Sequence, residues 1–426
     1  MIVKPYPHLG ERVYEERLSN GLLTRVVPKD GFAKTYAFLA VDYGSIDTDF
    51  SVNGVSCATP MGVAHYLEHK MFDMPDGNAM QMFSEFGGSP NAFTSYDVTA
   101  YYVECTEHVK ENLEILLKFV YTPWFTAESV EKERGIIAQE IRMYEDSADS
   151  RVYENLFAAS YASHPVRNSI AGTVESISQI TDQTLYDCYH AFYTPANMML
   201  CVVGDVDPQM VFDLAERLVP KGSSVPIRNY GKPEAMKPVQ KRVEASMEVA
   251  MPTFAIGFKT EPAAHGIASM REEIIGDLAA EILVGESSHL YTKLYESNLI
   301  DSGFSSDYEG LKGVGMLTAS GDSEDADAVA AAILEEADRI RREGLDDALF
   351  HRLKRSSLGR RIRNLDSFES ICYRMCAYHF EGVDYFDFPS VFHEIKPEHV
   401  AAFLDRTVRE ERMALSLILP NNEGGM

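Results

Sequence analysis

Apolar positions along this chain alternate between two periods. Short runs rich in Val, Ile, Phe and Tyr read as strands, and apolar residues recurring every three or four positions read as amphipathic helices. In the first half the pattern predicts strands at 22–27 and 36–42, helices at 62–72 and 79–86, and a strand pair at 91–94 and 99–104. Helices follow at 109–121, 127–146 and 151–160, then a strand at 198–203 and a helix at 208–219. The second half reads alike in coarse order. A strand at 254–259 precedes helices at 269–283 and 289–296, strands at 303–308 and 316–320, helices at 325–343 and 346–364, and a closing strand at 413–419. Mixed order with hairpin-like strand spacing indicates an α+β fold: two homologous mixed α/β halves, each an antiparallel-rich sheet covered by helices.

Between the halves, residues 219–240 concentrate Pro220, Gly222, Pro226, Gly231, Pro233 and Pro238, with little apolar periodicity. That density of breakers reads as a linker, dividing the chain into 1–218, 219–240 and 241–426. A length of 426 residues exceeds what one hydrophobic core usually supports, which agrees with two units. With 39 Lys+Arg against 65 Asp+Glu, the net charge is −26. That balance argues against a nucleic-acid binder and against docking to an anionic membrane. No apolar run approaches a transmembrane length, and no signal peptide is expected at Met1–His8. The six cysteines are scattered without a CxxC pair, as expected of a cytoplasmic protein with reduced thiols. Cys372 and Cys376 share a helical face and read as buried core thiols.

The stretch Gly62–Phe72 carries candidate chemistry. His65 and His69, four apart on a helix, put both imidazoles on one face, able to grip a single ion. Glu68 lies on nearly the same face, placed to take a proton from a metal-activated water and return it to a leaving amine. This HxxEH order reverses the commoner zinc-peptidase motif. A third ligand is expected from the helix at 127–146. Glu133 and Glu140 sit two turns apart on one face there, so one can ligate while the other orients a ligating imidazole. A solvated acidic face is the competing reading for that helix.

HYLEH at 65–69 with ERGIIAQE ending at Glu140 resembles the pitrilysin family of zinc metallopeptidases, which includes insulysin and the mitochondrial processing peptidases. Asn91-Ala92-Phe93-Thr94 with Thr99–Tyr102, His164-Pro165, Ile170–Gly172 and Phe192–Met198 extend the likeness over nearly the whole first half. The resemblance implies one Zn²⁺ per chain, held by His65, His69 and Glu140. It implies Glu68 as general base and Glu133 as the carboxylate that orients a ligand. Asn91, Ala92 and Phe93 would form the edge strand that pairs with a peptide substrate, a mode that reads backbone rather than sequence. The second half lacks a histidine pair and would be a metal-free copy. It offers Tyr308 for a substrate-contacting tyrosine, while Arg374 and Tyr378 read as structural.

These implications converge on a zinc-dependent endopeptidase for peptides or unfolded segments held in an enclosed chamber. The short bacterial relatives build that chamber from two chains, so a homodimer or a heterodimer with a related chain is expected. The alternative is a non-catalytic peptide-binding or scaffold subunit of such a pair. A metal-dependent lyase sharing the short motif is a third reading, disfavoured by the matches at 91–204. The acidity raises a narrower expectation, a chamber that favours basic peptides.

Overall fold

The strand Met198–Gly204 (MMLCVVG) is buried at every position. A strand covered on both faces belongs in the middle of a sheet. It is fourth of seven in the order Ile2–Tyr6, Glu11–Arg17, Leu23–Pro28, Met198–Gly204, Thr35–Val41, Thr99–Cys105, Ser89–Thr94. It runs parallel to Leu23–Pro28 and antiparallel to Thr35–Val41, and the remaining pairs are antiparallel. A second, five-stranded sheet follows the order Arg242–Met247, Met413–Pro420, Thr253–Lys259, Val314–Asp322, Ser305–Leu311. It too has one parallel pair, Arg242–Met247 with Met413–Pro420. The computed structural model from which these elements are described covers residues 1–421.

Each sheet has one face covered by helices of its own half. Helices Val63–Met71, Val109–Val120, Asp182–Phe192 and Pro208–Leu218 share a core with one face of the first sheet. The opposite faces are covered reciprocally. Helix Phe368–Phe380, from late in the chain, lies against the first sheet, where Cys372 Sγ approaches the Cys201 carbonyl at 3.6 Å. Helix Ala148–Ser160 lies against the second sheet, its Val152, Leu156 and Phe157 in one cluster with Ala255, Met316 and Ile418. Cys372 and Cys376 are fully buried, as expected of core thiols.

Several elements escape the apolar pattern. Glu11–Arg17 (ERVYEER) and Arg242–Met247 are strands rich in charge, because one face of each meets solvent. Asp182–Phe192, Phe368–Phe380 and Pro397–Thr407 are further helices. The stretch 219–240 is largely irregular but tied down. Ile227–Arg228 pairs with Asp49–Val52, and Arg228 meets Asp42 and Asp47 at 2.8 and 3.1 Å. Glu234 accepts the backbone N–H groups of Ala162, Ser163 and His164 at 2.7–2.9 Å.

Candidate active site

The helix Val63–Met71 is seated by a close backbone approach. Gly62 has φ +88°, and a Cβ there would lie 2.4 Å from the Ala171 carbonyl oxygen. Gly172, at φ +76°, meets the Met61 carbonyl in the same way, so only glycine fits either position. Ala64, Leu67 and Met71 bury the helix's apolar side. Helix Ala127–Glu145 packs beside it through Val130, Ile137 and Ile141, and Tyr66 donates its hydroxyl to the Val130 carbonyl. Glu133, Glu140 and Tyr144 run along the border of that buried stripe, facing the histidines.

The side chains converge. His65 Nε2 is 3.5 Å from Glu140 Oε1, and His69 Nε2 is 3.3 Å from Glu140 Oε2. The ligand atoms of His65, His69 and Glu140 all lie within 4.8 Å of one another. His69 Nδ1 donates to Glu133 Oε1 at 3.0 Å, which turns Nε2 toward the cluster. Two imidazole nitrogens and one carboxylate oxygen are the donor set of a catalytic zinc site, so these residues fit the ion. Glu68 is 9% exposed and takes a hydrogen bond from Thr94 Oγ1 at 3.2 Å.

Electrostatics follow from this crowding. Burial pushes the Glu68 carboxyl above its ordinary range, partly offset by the charges of His65 and His69. Hydrogen bonds from His65 and His69 hold Glu140 well below the usual carboxylate range. Burial opposes charge on His69, yet its bonds to Glu133 and Glu140 push its pKa up to about 10.

Ser89–Thr94 is the outer strand of the first sheet, with Asn91, Ala92 and Phe93 opposite Tyr102, Tyr101 and Ala100. Its free edge borders a cavity of about 540 Å³ shared with His65, Glu68, His69 and Glu140. The Ala92 N–H donates to Asn91 Oδ1 at 2.9 Å. The Phe93 ring turns to the far side of the sheet, 6.1 Å from Phe38 and 5.9 Å from Tyr373, so its backbone rather than its ring serves the edge.

Similarity to known proteins extends beyond the site. Residues 33–174 match the insulinase family (peptidase family M16), and 179–357 match the peptidase M16 inactive domain. A zinc protease of Bacillus subtilis, described as the uncharacterized YmfH, is 37% identical over 99% of this chain and 100% of its own length. The chain belongs to peptidase family M16. A putative M16-like peptidase from Alicyclobacillus acidocaldarius has a crystal structure that superposes at a TM-score of 0.93, with 33% identity over 96% of this chain and 99% of that one. Pitrilysin shares the fold at a TM-score of 0.75 and 18% identity, matched over 97% of this chain and 45% of its own.

Within this M16 chain, Tyr308 is not brought to the cluster. Its ring lies over Gly276, where a Cβ would fall 2.3 Å from the ring, and it is 7% exposed in the core of the second half. Helix Ile267–Val284 of that half carries Glu273 and Asp277 four apart, where the first half carries its histidines. What meets them is a guanidinium. Arg361 Nη2 donates to Glu273 Oε1 at 2.8 Å and Asp277 Oδ2 at 2.9 Å, and Tyr378 donates its hydroxyl to Glu273. A buried guanidinium thus bridges two half-buried carboxylates at the second half's helix, and Tyr378 takes a structural part in the cluster. Two contacts at the first site carry no signal in the motif itself, Thr94 with Glu68 and Tyr144 with Glu140. The second is legible in hindsight, because Tyr144 continues the Glu133–Glu140 stripe by one turn.

Proposed function

We propose that this M16 chain is a zinc-dependent endopeptidase cleaving extended peptides or unfolded segments. The observation that carries the reading is convergence: His65, His69 and Glu140 meet from two helices, with Glu68 beside them and an open strand edge along the same cavity. Zinc held by the three side chains would supply Lewis-acid polarisation of a peptide carbonyl and lower the pKa of a water to about 7. Glu68 takes the proton from the attacking water and delivers it to the leaving amine. Its burial suits that task, because a raised pKa brings a carboxylate closer to neutral water's operating range. Thr94 holds Glu68 to the end of the edge strand, so the strand that binds the peptide also aims the base. Asn91, Ala92 and Phe93 present backbone groups that an extended chain can pair with whatever its sequence.

The residues lining that cavity fall within 65–171, which supports a reading in which a second chain, either another copy or a relative, closes over the substrate. The scattered cysteines, none of them paired, suit a reducing cytoplasm. A scaffold role is disfavoured by the register of His65, Glu68, His69 and Glu140, which a non-catalytic subunit has no physical reason to keep. The test is cleavage of a quenched unfolded peptide before chelation, after it, and after zinc is restored. Activity that survives full removal of metal contradicts the reading. Native mass measurement of the active species decides the pairing, and a cleaving monomer would rule out the two-chain chamber.

A further inference from the structure

We propose that Tyr144 is a positioning residue of the metal centre: its hydroxyl engages one oxygen of Glu140 and so favours binding of the ion through the other. The Tyr144 hydroxyl donates to Glu140 Oε1 at 2.9 Å. Both oxygens face a histidine: Oε1 is 3.5 Å from His65 Nε2, and Oε2, which takes no hydroxyl, is 3.3 Å from His69 Nε2. A carboxylate can bind a cation through one oxygen or through both. An oxygen that already accepts an O–H bond has its position fixed and part of its lone-pair density committed, which favours binding through the other.

The distinction matters for chemistry. A catalytic zinc site keeps three protein ligands and one open position, and a second oxygen from Glu140 would crowd that position. Two neighbouring groups have their own partners: Glu133 turns His69, and Thr94 holds Glu68, while His65 Nδ1 has none among the described residues. Glu140 is 22% exposed at its side chain and, among the described residues, is anchored by the histidines and Tyr144. Core packing does not account for the tyrosine. It is 37% exposed, and it lines the cavity beside the edge strand.

The inference rests on the zinc reading above, and the experiment separates the two. Tyr144→Phe removes the hydroxyl and leaves the ring. Wild type should bind one zinc per chain in competition with a chromogenic chelator. Tyr144→Phe should bind it ~10- to 100-fold more weakly, or its cobalt(II)-loaded form should show an altered visible absorption spectrum; either change supports the proposal, provided the metal-free variant melts with wild type. Wild-type zinc affinity together with an unchanged cobalt(II) spectrum overturns the role of Tyr144 and leaves the zinc site standing. A wild-type chain that takes up no zinc overturns both.

Discussion

Replacing Glu133 isolates what a histidine's partner contributes to this site. His69 Nδ1 donates to Glu133 Oε1 at 3.0 Å, and the two side chains are 24% and 18% exposed. A hydrogen bond to a charged group nets about 1.5–3 kcal/mol. At about 1.4 kcal/mol per decade this corresponds to a loss of roughly 10- to 100-fold in zinc affinity. Glu133→Gln keeps an acceptor near the ring but removes the charge, and belongs near the ~10-fold end. Glu133→Ala removes both and frees the ring to rotate, so it belongs near the ~100-fold end. Chelator competition at fixed pH measures the affinities, with thermal unfolding of the metal-free proteins to show that the fold is kept. The expected order is wild type, then Gln, then Ala. Wild-type affinity in both variants, or Ala binding as tightly as Gln, would refute the idea that Glu133 acts through His69.

Other expectations follow from charges elsewhere. Glu234 is held down to about 2, burial opposing the shift and three backbone N–H bonds prevailing. A carboxyl depressed from 4.5 contributes stability that is complete above pH 4.5 and is lost as pH falls through about 2. Glu234→Gln should therefore cost ~1–3 kcal/mol in urea unfolding at pH 7, with the gap to wild type closing below pH 4.5; a gap that stays constant would count against the assignment. Arg361→Leu leaves Glu273 and Asp277, each about a third exposed, without the guanidinium that joins them and should lose ~0.5–1.5 kcal/mol after solvent screening, read from the denaturation midpoint at neutral pH; an unchanged midpoint would show that the carboxylates find another partner. Glu68, Glu140 and Glu154 line the site cavity, and among the described residues no Lys or Arg lines it. Basic peptides should be cleaved faster than matched acidic ones, with the preference shrinking as salt is added; the reverse preference, or one indifferent to salt, removes electrostatic selection from the account.

Much of the site was legible because its ligands follow helix periodicity. His65 and His69 at i, i+4, and Glu133 and Glu140 at i, i+7, are local patterns that fix a face. Which face meets which is tertiary. Nothing in HYLEH says that it docks against 127–145; the buried Val130, Ile137 and Ile141 and the seat formed by Gly62 and Gly172 decide that. The strand at 91–94 was readable from its turn signals and its apolar partner, while its place at the sheet's edge was implied only by the family resemblance. Strands such as Glu11–Arg17 were not, because a strand with one wet face carries charge where the pattern looks for apolar residues. The exchange of Ala148–Ser160 and Phe368–Phe380 between the sheets left no trace in composition, since a helix covering a foreign sheet has the same apolar stripe as one covering its own. Tyr308, offered as a substrate contact by its position in a short segment, packs over Gly276 and lines a cavity of the second half, apart from the residues around His65.

The central claim is that Glu68 moves the proton while His65, His69 and Glu140 hold the ion. Glu68→Gln separates those roles, since the amide keeps the shape of the side chain and cannot take up the proton. Zinc content and peptide turnover are measured on the same preparation, beside wild type. The account predicts one zinc per chain in both proteins and a fall in turnover of about 10²- to 10⁴-fold in the variant. Cleavage by Glu68→Gln at the wild-type rate, with zinc in place, contradicts it.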